Sequence, residues 1–263
     1  MKRVLLLLIP IFVWGKVHYA KVEPYESVVL KASVSGLVLE ADPASEGTQP
    51  EGKRVVHIDD RLDRVDLNAT QRSMALLEET LSINEEMAAL LQKNMVRQES
   101  YYHRIEKLST ASTTQKDNAY SAFVSVKNQY LATREKIASL KRQKTDLTYK
   151  IARLKDTIEK KSLRPKGVYL YKLMVRKGDF VAPGTPLARV DDAKRAKLVL
   201  FLDPDELEGI KKRDIYLDGV KTDYHIGKIW RIADEKFISS YRAEIYIPAP
   251  KNYFSKLVKV EIK

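Results

Sequence analysis

Paired aspartates are the residues of this chain best placed by type for acid–base chemistry. Asp59-Asp60 and Asp191-Asp192 each follow a short run rich in β-branched residues. Two neighbouring carboxylates could serve as a general acid and a general base. Both pairs, however, end strand-like runs at equivalent positions of two similar glycine-rich phrases, and aspartates at such points commonly accept hydrogen bonds from the next turn. We therefore interpret them as turn caps rather than catalytic groups.

Other reactive side chains show no catalytic or metal-binding arrangement. His18, His57, His103 and His225 are remote from one another in sequence and lack paired ligand spacing, so we expect structural or exposed histidines. The chain has neither a Gly-x-x-x-x-Gly-Lys phosphate loop nor a Gly-x-Ser-x-Gly nucleophile motif. It has no cysteine, which excludes disulfides, thiolate metal sites and a lipoprotein anchor. We expect no cofactor, no metal and no enzymatic activity.

The start of the chain indicates export. Lys2 and Arg3 precede an apolar stretch, 4–14, which is too short to cross a bilayer and has the character of a signal peptide cleaved before Lys16. An uncleaved signal anchor is the alternative. The net charge of +12 in 263 residues could suggest nucleic acid. An exported chain meets no cytoplasmic nucleic acid, so we predict a periplasmic protein without a nucleic-acid partner.

Glycines recur at matched spacing near both ends of the chain. The first set is 36, 47 and 52, and the second set is 167, 178 and 184. Short β-branched runs such as "RVVHI" lie between them and predict strands. The two sets therefore predict matched half-sheets that close into one domain, with the intervening segment as an insertion.

The inserted segment predicts a helical hairpin. Residues 53–164 contain neither glycine nor proline, the two worst helix formers. Apolar residues follow two heptad seams, which predict left-handed supercoiling. The first seam is Leu67, Thr70, Met74, Leu77, Leu81, Asn84, Ala88, Leu91, Met95, Gln98, Tyr102 and Ile105. The second is Ala119, Phe123, Val126, Tyr130, Thr133, Ile137, Leu140, Lys144, Leu147, Ile151, Leu154 and Ile158. Folded antiparallel about "STASTT", 109–114, the seams pair end to end along arms of about 70 Å.

Two features of the hairpin allow more than one interpretation. A further heptad row either widens the buried stripe or faces a neighbouring subunit; it comprises Leu62, Ala69, Leu76, Ile83 and Leu90. Residues 134–166 carry twelve Lys or Arg against four Asp or Glu. This basic surface is either a solvated face or a surface for sideways packing of hairpins. Polar seam residues such as Asn84 and Lys144 are expected to fix the pairing register.

The remainder of the chain predicts a small β-structure. Strand patterns recur at "AKLVLFL", "DIYLDGV", "YHIGKIWRI", "YRAEIYI" and "KLVKVEI". Asp218-Gly219 predicts a tight hairpin turn, and one short helix is expected after Asp203. Five strands in about 70 residues favour a barrel or sandwich. The segment 16–33 is expected to add an N-terminal strand.

This order of elements resembles the HlyD or membrane fusion protein family of periplasmic adaptors. The resemblance rests on "SGLVLEADPASEGTQPEGKRVVHIDD", "GVYLYKLMVRKGDFVAPGTPLARVDD", the hairpin between them and the strand-rich tail. It implies a multidomain fold of mixed α and β structure: a split lipoyl-like β-sandwich with an inserted antiparallel coiled-coil hairpin, followed by a small β-barrel. The predicted parts are a signal peptide at 1–15, an N-terminal strand and first lipoyl half at 16–60, the hairpin at 61–164, the second half at 165–192 and the barrel at 193–263.

The resemblance also implies partners. Such adaptors form homo-oligomeric rings that link an inner-membrane transporter to a TolC-like outer-membrane channel, for efflux or type I secretion. Many adaptors of RND pumps add a membrane-proximal domain after the barrel, whereas this sequence ends at Lys263 after its last strand pattern. We therefore expect an ABC-type transporter, with an RND pump as the alternative.

The hairpin tip matches part of the family's channel-docking pattern, in which Arg is followed by Leu four residues on and by Ser seven beyond that. Arg104 and Leu108 have the required spacing, which places them on one helical face. Gln115 occupies the serine position, and Thr113 and Thr114 are expected to supply the hydroxyl in its place. The alternative is an ordinary hairpin end.

Two other functions compete with the adaptor. A lipoyl- or biotin-type carrier domain presents a modified lysine at the turn between its halves. Here the hairpin replaces that turn, and Lys194 follows the second half. The second competitor is a structural spacer of the cell envelope without a role in transport.

Overall fold

The computed structural model describes residues 16–235, 237–251 and 254–263. The predicted signal peptide lies outside these residues. Within the described part of the chain, no helix combines the length and apolar character needed to span a membrane. The chain divides into two compact units, of which one is Asp59–Lys161 and the other joins the residues up to Ile58 with Ser162–Lys263.

The unit Asp59–Lys161 is a hairpin of two long helices. Helix α1 spans Arg61–Lys107 and helix α2 spans Thr113–Lys160. Every position of the two predicted seams is buried or partly buried, because a heptad repeat keeps one stripe of each helix facing the other. The fully buried seam residues are Thr70, Leu81 and Asn84 in α1 and Ala119, Phe123, Leu140 and Leu154 in α2.

The antiparallel register is visible in side-chain pairs between the helices. The rings of Tyr102 and Phe123 stack with their centroids 6.2 Å apart. The ammonium groups of three α2 lysines reach α1 carboxylates; the pairs are Lys141–Glu85 at 2.9 Å, Lys144–Glu78 at 2.8 Å and Lys150–Asp66 at 2.7 Å. Part of the basic surface of α2 is therefore paired within its own hairpin. The seam lysine Lys144 is one of these three, and Asn84 donates to the Thr80 carbonyl at 2.7 Å.

The further heptad row of α1 lies outside the contact between α1 and α2. Its exposed fractions are 84% at Leu62, 65% at Leu76, 55% at Ile83 and 61% at Leu90, and Ala69 is exposed as well. The row does not widen the buried stripe, because a two-helix pair covers only the seam side of each helix. A long apolar stripe is left on the surface of a single chain.

The strands of the described residues all lie in the other unit. In chain order they are Val17–Pro24 (β1), Ser27–Lys31 (β2), Gly36–Ala41 (β3), Val56–Ile58 (β4), Ser162–Leu163 (β5), Tyr169–Leu173 (β6), Phe180–Val181 (β7), Pro186–Asp191 (β8), Arg195–Leu202 (β9), Ile215–Leu217 (β10), Val220–Thr222 (β11), Ile226–Ile229 (β12), Tyr241–Pro248 (β13) and Leu257–Ile262 (β14).

The two glycine-rich halves interdigitate in a small sandwich. One sheet has the order β2-β8-β6 and the other has the order β5-β4-β3-β7, so each sheet takes strands from both halves. Inward residues of both sheets form one buried cluster that includes Val38, Ile58, Leu170, Leu173 and Val190. Since neither half can bury these side chains alone, the halves fold as one body.

The third sheet has seven antiparallel strands in the order β11-β10-β14-β1-β9-β13-β12. Its inward residues form one cluster of buried side chains, among them Ala20, Leu198, Ile245 and Val260. A single sheet can gather its inward residues in this way only by curling upon itself. The N-terminal strand β1 pairs with β14 and β9, and so belongs to this barrel although it is remote from them in sequence.

The turns of the barrel agree in part with those predicted from the sequence. Asp218 and Gly219 both have positive φ, 49° and 85°, as a two-residue hairpin turn between β10 and β11 requires. The short helix predicted after Asp203 instead forms two 3-10 turns, at Pro204–Glu206 and Ile210–Lys212, because Gly209 between them has a φ of 69° and interrupts the helix. The predicted fold class is confirmed.

Candidate docking site at the hairpin tip

The tip of the hairpin is a short, hydrogen-bonded turn. Helix α1 ends at Lys107, and the amide of Leu108 donates to the Ile105 carbonyl at 3.1 Å while its own backbone is extended. The amide of Ala111 then donates to the Leu108 carbonyl at 3.4 Å. These bonds fix the path of the chain between the two helices.

Helix α2 begins with a reciprocal cap. Ser112 is the N-cap residue, and its hydroxyl accepts from the Gln115 amide at 3.3 Å. The Gln115 side-chain oxygen accepts in return from the Ser112 amide at 2.9 Å. Such a capping box satisfies two amides that would otherwise lack helical partners. The Gln115 side chain is therefore engaged in holding the helix end.

The predicted docking residues surround this cap. Arg104 is exposed in the last turn of α1, and Leu108 is 48% exposed at its end. Within the described part of the chain, Arg104 has no ion pair. Thr113 and Thr114 are the first two residues of α2, and both are exposed. The predicted docking residues thus present a guanidinium, a half-exposed leucine and two hydroxyls beside Gln115, and Lys107, Ser109 and Thr110 are exposed at the same tip.

A cluster below the tip was not predicted from the sequence. The Tyr102 hydroxyl donates to Glu106 at 2.9 Å, and the same carboxylate lies 3.3 Å from Nδ1 of His103. The hydrogen bond from Tyr102 and then that from His103 lower the pKa of Glu106. The Glu106 bond raises the pKa of Tyr102. The i, i+4 spacing of Tyr102 and Glu106 was the available signal.

This cluster stiffens the base of the tip. The Tyr102 ring also lies 5.3 Å from that of Tyr120 across the hairpin, in addition to its stacking on Phe123. Aromatic pairs of this kind stabilise beyond the area they bury. Arg104 therefore projects from a helical turn whose neighbouring residues are held in place.

The groups considered for catalysis have structural contacts instead. Oδ1 of Asp59 accepts from the Arg61 amide at 3.1 Å, and Oδ1 of Asp192 accepts in the same manner from the Lys194 amide at 3.0 Å. Bonding from the Arg61 side chain lowers the pKa of Asp59 to about 2. Asp59 and Asp192 thus act as turn caps, as predicted. Their neighbours do not: Asp60 forms an ion pair with Arg64 and makes no side-chain cap bond to α1, and Asp191 lies 3.5 Å from the Arg189 guanidinium. Among the described residues, no group of three or more His, Cys, Asp or Glu is arranged to hold a metal ion.

The comparisons with known proteins identify the fold. The sequence matches no protein-family model and no curated protein. Among solved structures, the chain is similar to MacA from Actinobacillus actinomycetemcomitans, with a TM-score of 0.62 and 14% identity over 95% of this chain and 78% of that one. It is also similar to the membrane fusion protein Spr0693 from Streptococcus pneumoniae R6, with a TM-score of 0.58 and 10% identity over 95% and 99%.

A third similar structure contains a hairpin domain taken from a different protein. It is a MacA–MexA chimeric protein that contains the Pseudomonas aeruginosa MexA α-hairpin domain, with a TM-score of 0.61 and 15% identity over 95% of this chain and 78% of that one. The fold that the sequence resemblance implied is confirmed: this chain has the fold of the membrane fusion proteins.

Proposed function

We propose that this chain is a periplasmic adaptor which links an inner-membrane transporter to a TolC-like outer-membrane channel. The membrane fusion protein fold supports the proposal. The observation that carries it is the form of the hairpin tip, where Arg104 and Leu108 stand exposed beside a capped turn. In this role the protein works mechanically, by connecting two partners, and performs no reaction of its own.

The tip is the proposed channel contact. Arg104 offers an always-charged, bidentate donor to carboxylates or carbonyl oxygens of a partner. Leu108 offers apolar area that association would remove from water. Thr113 and Thr114 supply the hydroxyl that related adaptors take from a serine, because Gln115 is engaged in the cap. Together these four residues form a surface of mixed charge and apolar character.

The apolar row of α1 supports assembly into a ring. The row from Leu62 to Leu90 extends over four heptads and is exposed in a single chain. A stripe of this length on a soluble surface marks an interaction site. We propose that it packs against the hairpin of a neighbouring copy, and that the ring so formed surrounds a passage for the transported substrate.

Crosslinking in cells tests the proposal. A photocrosslinking amino acid is placed at residue 104, 108 or 113, and at residue 93 as a control on the same helix. We expect tip-specific products that contain an outer-membrane channel protein. A tip that yields the same products as position 93 would contradict channel docking. Crosslinks from the barrel identify the transporter and thereby separate an ABC-type partner, which we favour, from an RND pump.

A further inference from the structure

A groove lies on one flank of the helical hairpin, near the middle of its length. Its volume is about 410 Å³, and the small residues Ala88, Ala89 and Ala138 line it together with Ile137. Larger side chains fill most seam positions, whereas alanine at seam position 88 leaves a gap beside Ile137. The groove therefore follows from three alanines that α1 and α2 bring together at one level.

The rim of the groove presents a cation. At the end nearer the base of the hairpin, the ammonium of Lys141 lies 2.9 Å from Glu85, and the two charges neutralise each other. At the end nearer the tip, the guanidinium of Arg134 lies 5.8 Å from the centre of the Tyr130 ring. Across the described residues, Arg134 is in no ion pair. An anionic group that approaches the groove can pair with this guanidinium.

The apolar row of α1 lies on the opposite flank from this groove. Glu85 and Gln92, which line the groove, follow Ile83 and Leu90 of the row by two residues each. Two residues correspond to about 200° around a helix of 3.6 residues per turn. A single chain therefore cannot seat its own row in its own groove.

Glu86 borders the apolar row. It follows Ile83 by three residues and precedes Leu90 by four, a spacing that puts all three on one face of α1. Its carboxylate is exposed and, in the part of the chain that the structure describes, takes no part in an ion pair. One flank of the hairpin thus carries two apolar side chains beside an unpaired anion, and the other carries a groove beside an unpaired cation.

We propose that the groove of one copy receives Ile83 and Leu90 of a second copy, whose Glu86 pairs with Arg134 at the rim. The inference rests on the ring assembly proposed above and adds to it the surface that the apolar row meets. Hairpins that point the same way in a ring keep equivalent residues at one height, and the α1 residues of the groove, within 85–92, lie at the height of Ile83 and Leu90. Burial of the two side chains and formation of the ion pair both favour this arrangement.

The opposite placement of the two surfaces determines the symmetry of the contact. Head-to-tail contacts repeat around a ring, so each copy gives its row to one neighbour and its groove to the other. A two-fold pair through the row would instead bring the Glu86 carboxylates of both copies to one interface and leave both grooves uncovered. Charge therefore favours the head-to-tail contact.

Disulfide formation between introduced cysteines tests the proposal. The chain has no cysteine of its own, so Leu90→Cys with Ala138→Cys places one thiol in the row and one in the groove of the full chain. Mild oxidation is expected to give a ladder of multimers in denaturing electrophoresis. Leu90→Cys with Glu135→Cys is the matched control and should run as a single chain, since Glu135 is exposed near the same level of α2 but does not line the groove. The absence of a ladder, an equal ladder in the control, or dimers from Leu90→Cys alone overturns the proposal.

A charge exchange separates this contact from ring assembly in general. Glu86→Arg and Arg134→Glu are each expected to weaken self-association about fivefold in analytical ultracentrifugation, and the two together in one chain are expected to restore it. Glu135→Arg is the control and should leave association unchanged, and circular dichroism checks that every variant keeps its helical content. If Ile83→Asp with Leu90→Asp disrupts assembly while neither charge reversal does so, the groove contact is wrong and the ring proposal stands. Failure of the double exchange to restore association also overturns the groove contact.

Discussion

Ser112 and Gln115 cap helix α2 by exchanging hydrogen bonds, with the serine hydroxyl on the Gln115 amide and the glutamine oxygen on the Ser112 amide. Gln115 stands where the docking pattern of the family that the sequence resembles has a serine. Its side chain is committed to the helix end, so the proposed docking contact uses the exposed hydroxyls of Thr113 and Thr114 instead.

Removal of the cap is expected to loosen the first turn of α2. Ser112→Ala deletes the hydroxyl that accepts from Gln115, and the loss of an N-cap of this kind costs about 1 kcal/mol. Hydrogen exchange of the first amides of α2 should accelerate about fivefold, while amides in the middle of the helix keep their rates. Ser109→Ala, at an exposed turn position, is the control and should leave exchange unchanged.

Reversal of the charge at Arg104, together with a charge in place of the apolar Leu108, is expected to abolish export without unfolding the hairpin. Arg104→Glu with Leu108→Asp removes both the proposed donor and the apolar contact. Helical content by circular dichroism should be unchanged, because neither side chain is buried. Lys93→Glu with Val96→Asp makes the same change of charge and polarity elsewhere on α1, and should export normally. Normal export by the tip variant would contradict the docking role.

The apolar row is expected to control self-association. Ile83→Asp and Leu90→Asp place charges in the exposed stripe of α1 and should shift the protein toward monomer in analytical ultracentrifugation. The hairpin seam is untouched, so the monomer should keep its helical content. Tyr149→Asp introduces the same charge at a 70% exposed position of α2 and is expected to have no effect on assembly.

The helical seams could be predicted because the spacing of residues that are close in sequence determines which face of each helix is buried. Leu81 and Leu140 lie in a repeat whose period alone sets which face is buried. The same repeat could not show whether Leu62 and Ile83 are buried or exposed, since their exposure depends on what else packs on the helix. The sequence pattern shows that such residues share a face, but it does not show what covers that face.

The contacts of the N-terminal strand within the barrel could not be predicted. His18 lies 2.8 Å from Glu206, and β1 completes a sheet whose other strands begin at residue 195. Such pairings depend on the closure of the whole barrel rather than on any local pattern. The hydroxyl bond from Tyr102 to Glu106 is local, but helix periodicity alone shows only that the two are neighbours.

The pH dependence of stability is expected to include Glu261. The side chains of Lys259 and Lys263 both lie 2.7 Å from its carboxylate, and these hydrogen bonds lower its pKa to about 2. A carboxylate whose pKa is lower in the folded state stabilises the fold above its unfolded pKa of about 4.3. That contribution is lost as the pH falls through about 2.

Unfolding measurements check this expectation. The difference in the free energy of unfolding between pH 6 and pH 2 should be smaller for Glu261→Gln than for the unaltered protein. Glu51→Gln, at an exposed turn carboxylate, is the control and should preserve the full difference. An unaltered pH dependence in Glu261→Gln would show that the lysine contacts contribute nothing to stability.

Gly227 and Tyr246 are expected to be energetically coupled across β12 and β13. A Cβ added at Gly227 would lie 2.6 Å from Cδ2 and Cε2 of the Tyr246 ring, which is closer than real contacts allow. The ring is also held at its hydroxyl by Glu244, at 3.2 Å, and lies 5.3 Å from Tyr25. Gly227→Ala should therefore destabilise the barrel by about 1–3 kcal/mol, the usual cost of overpacking. In a Tyr246→Ser background the same substitution should cost much less, because the ring that it displaces is gone. A double-mutant cycle measured by chemical denaturation gives the coupling energy between the two positions. Equal costs in the two backgrounds would mean that the Tyr246 ring is not the reason why position 227 requires glycine.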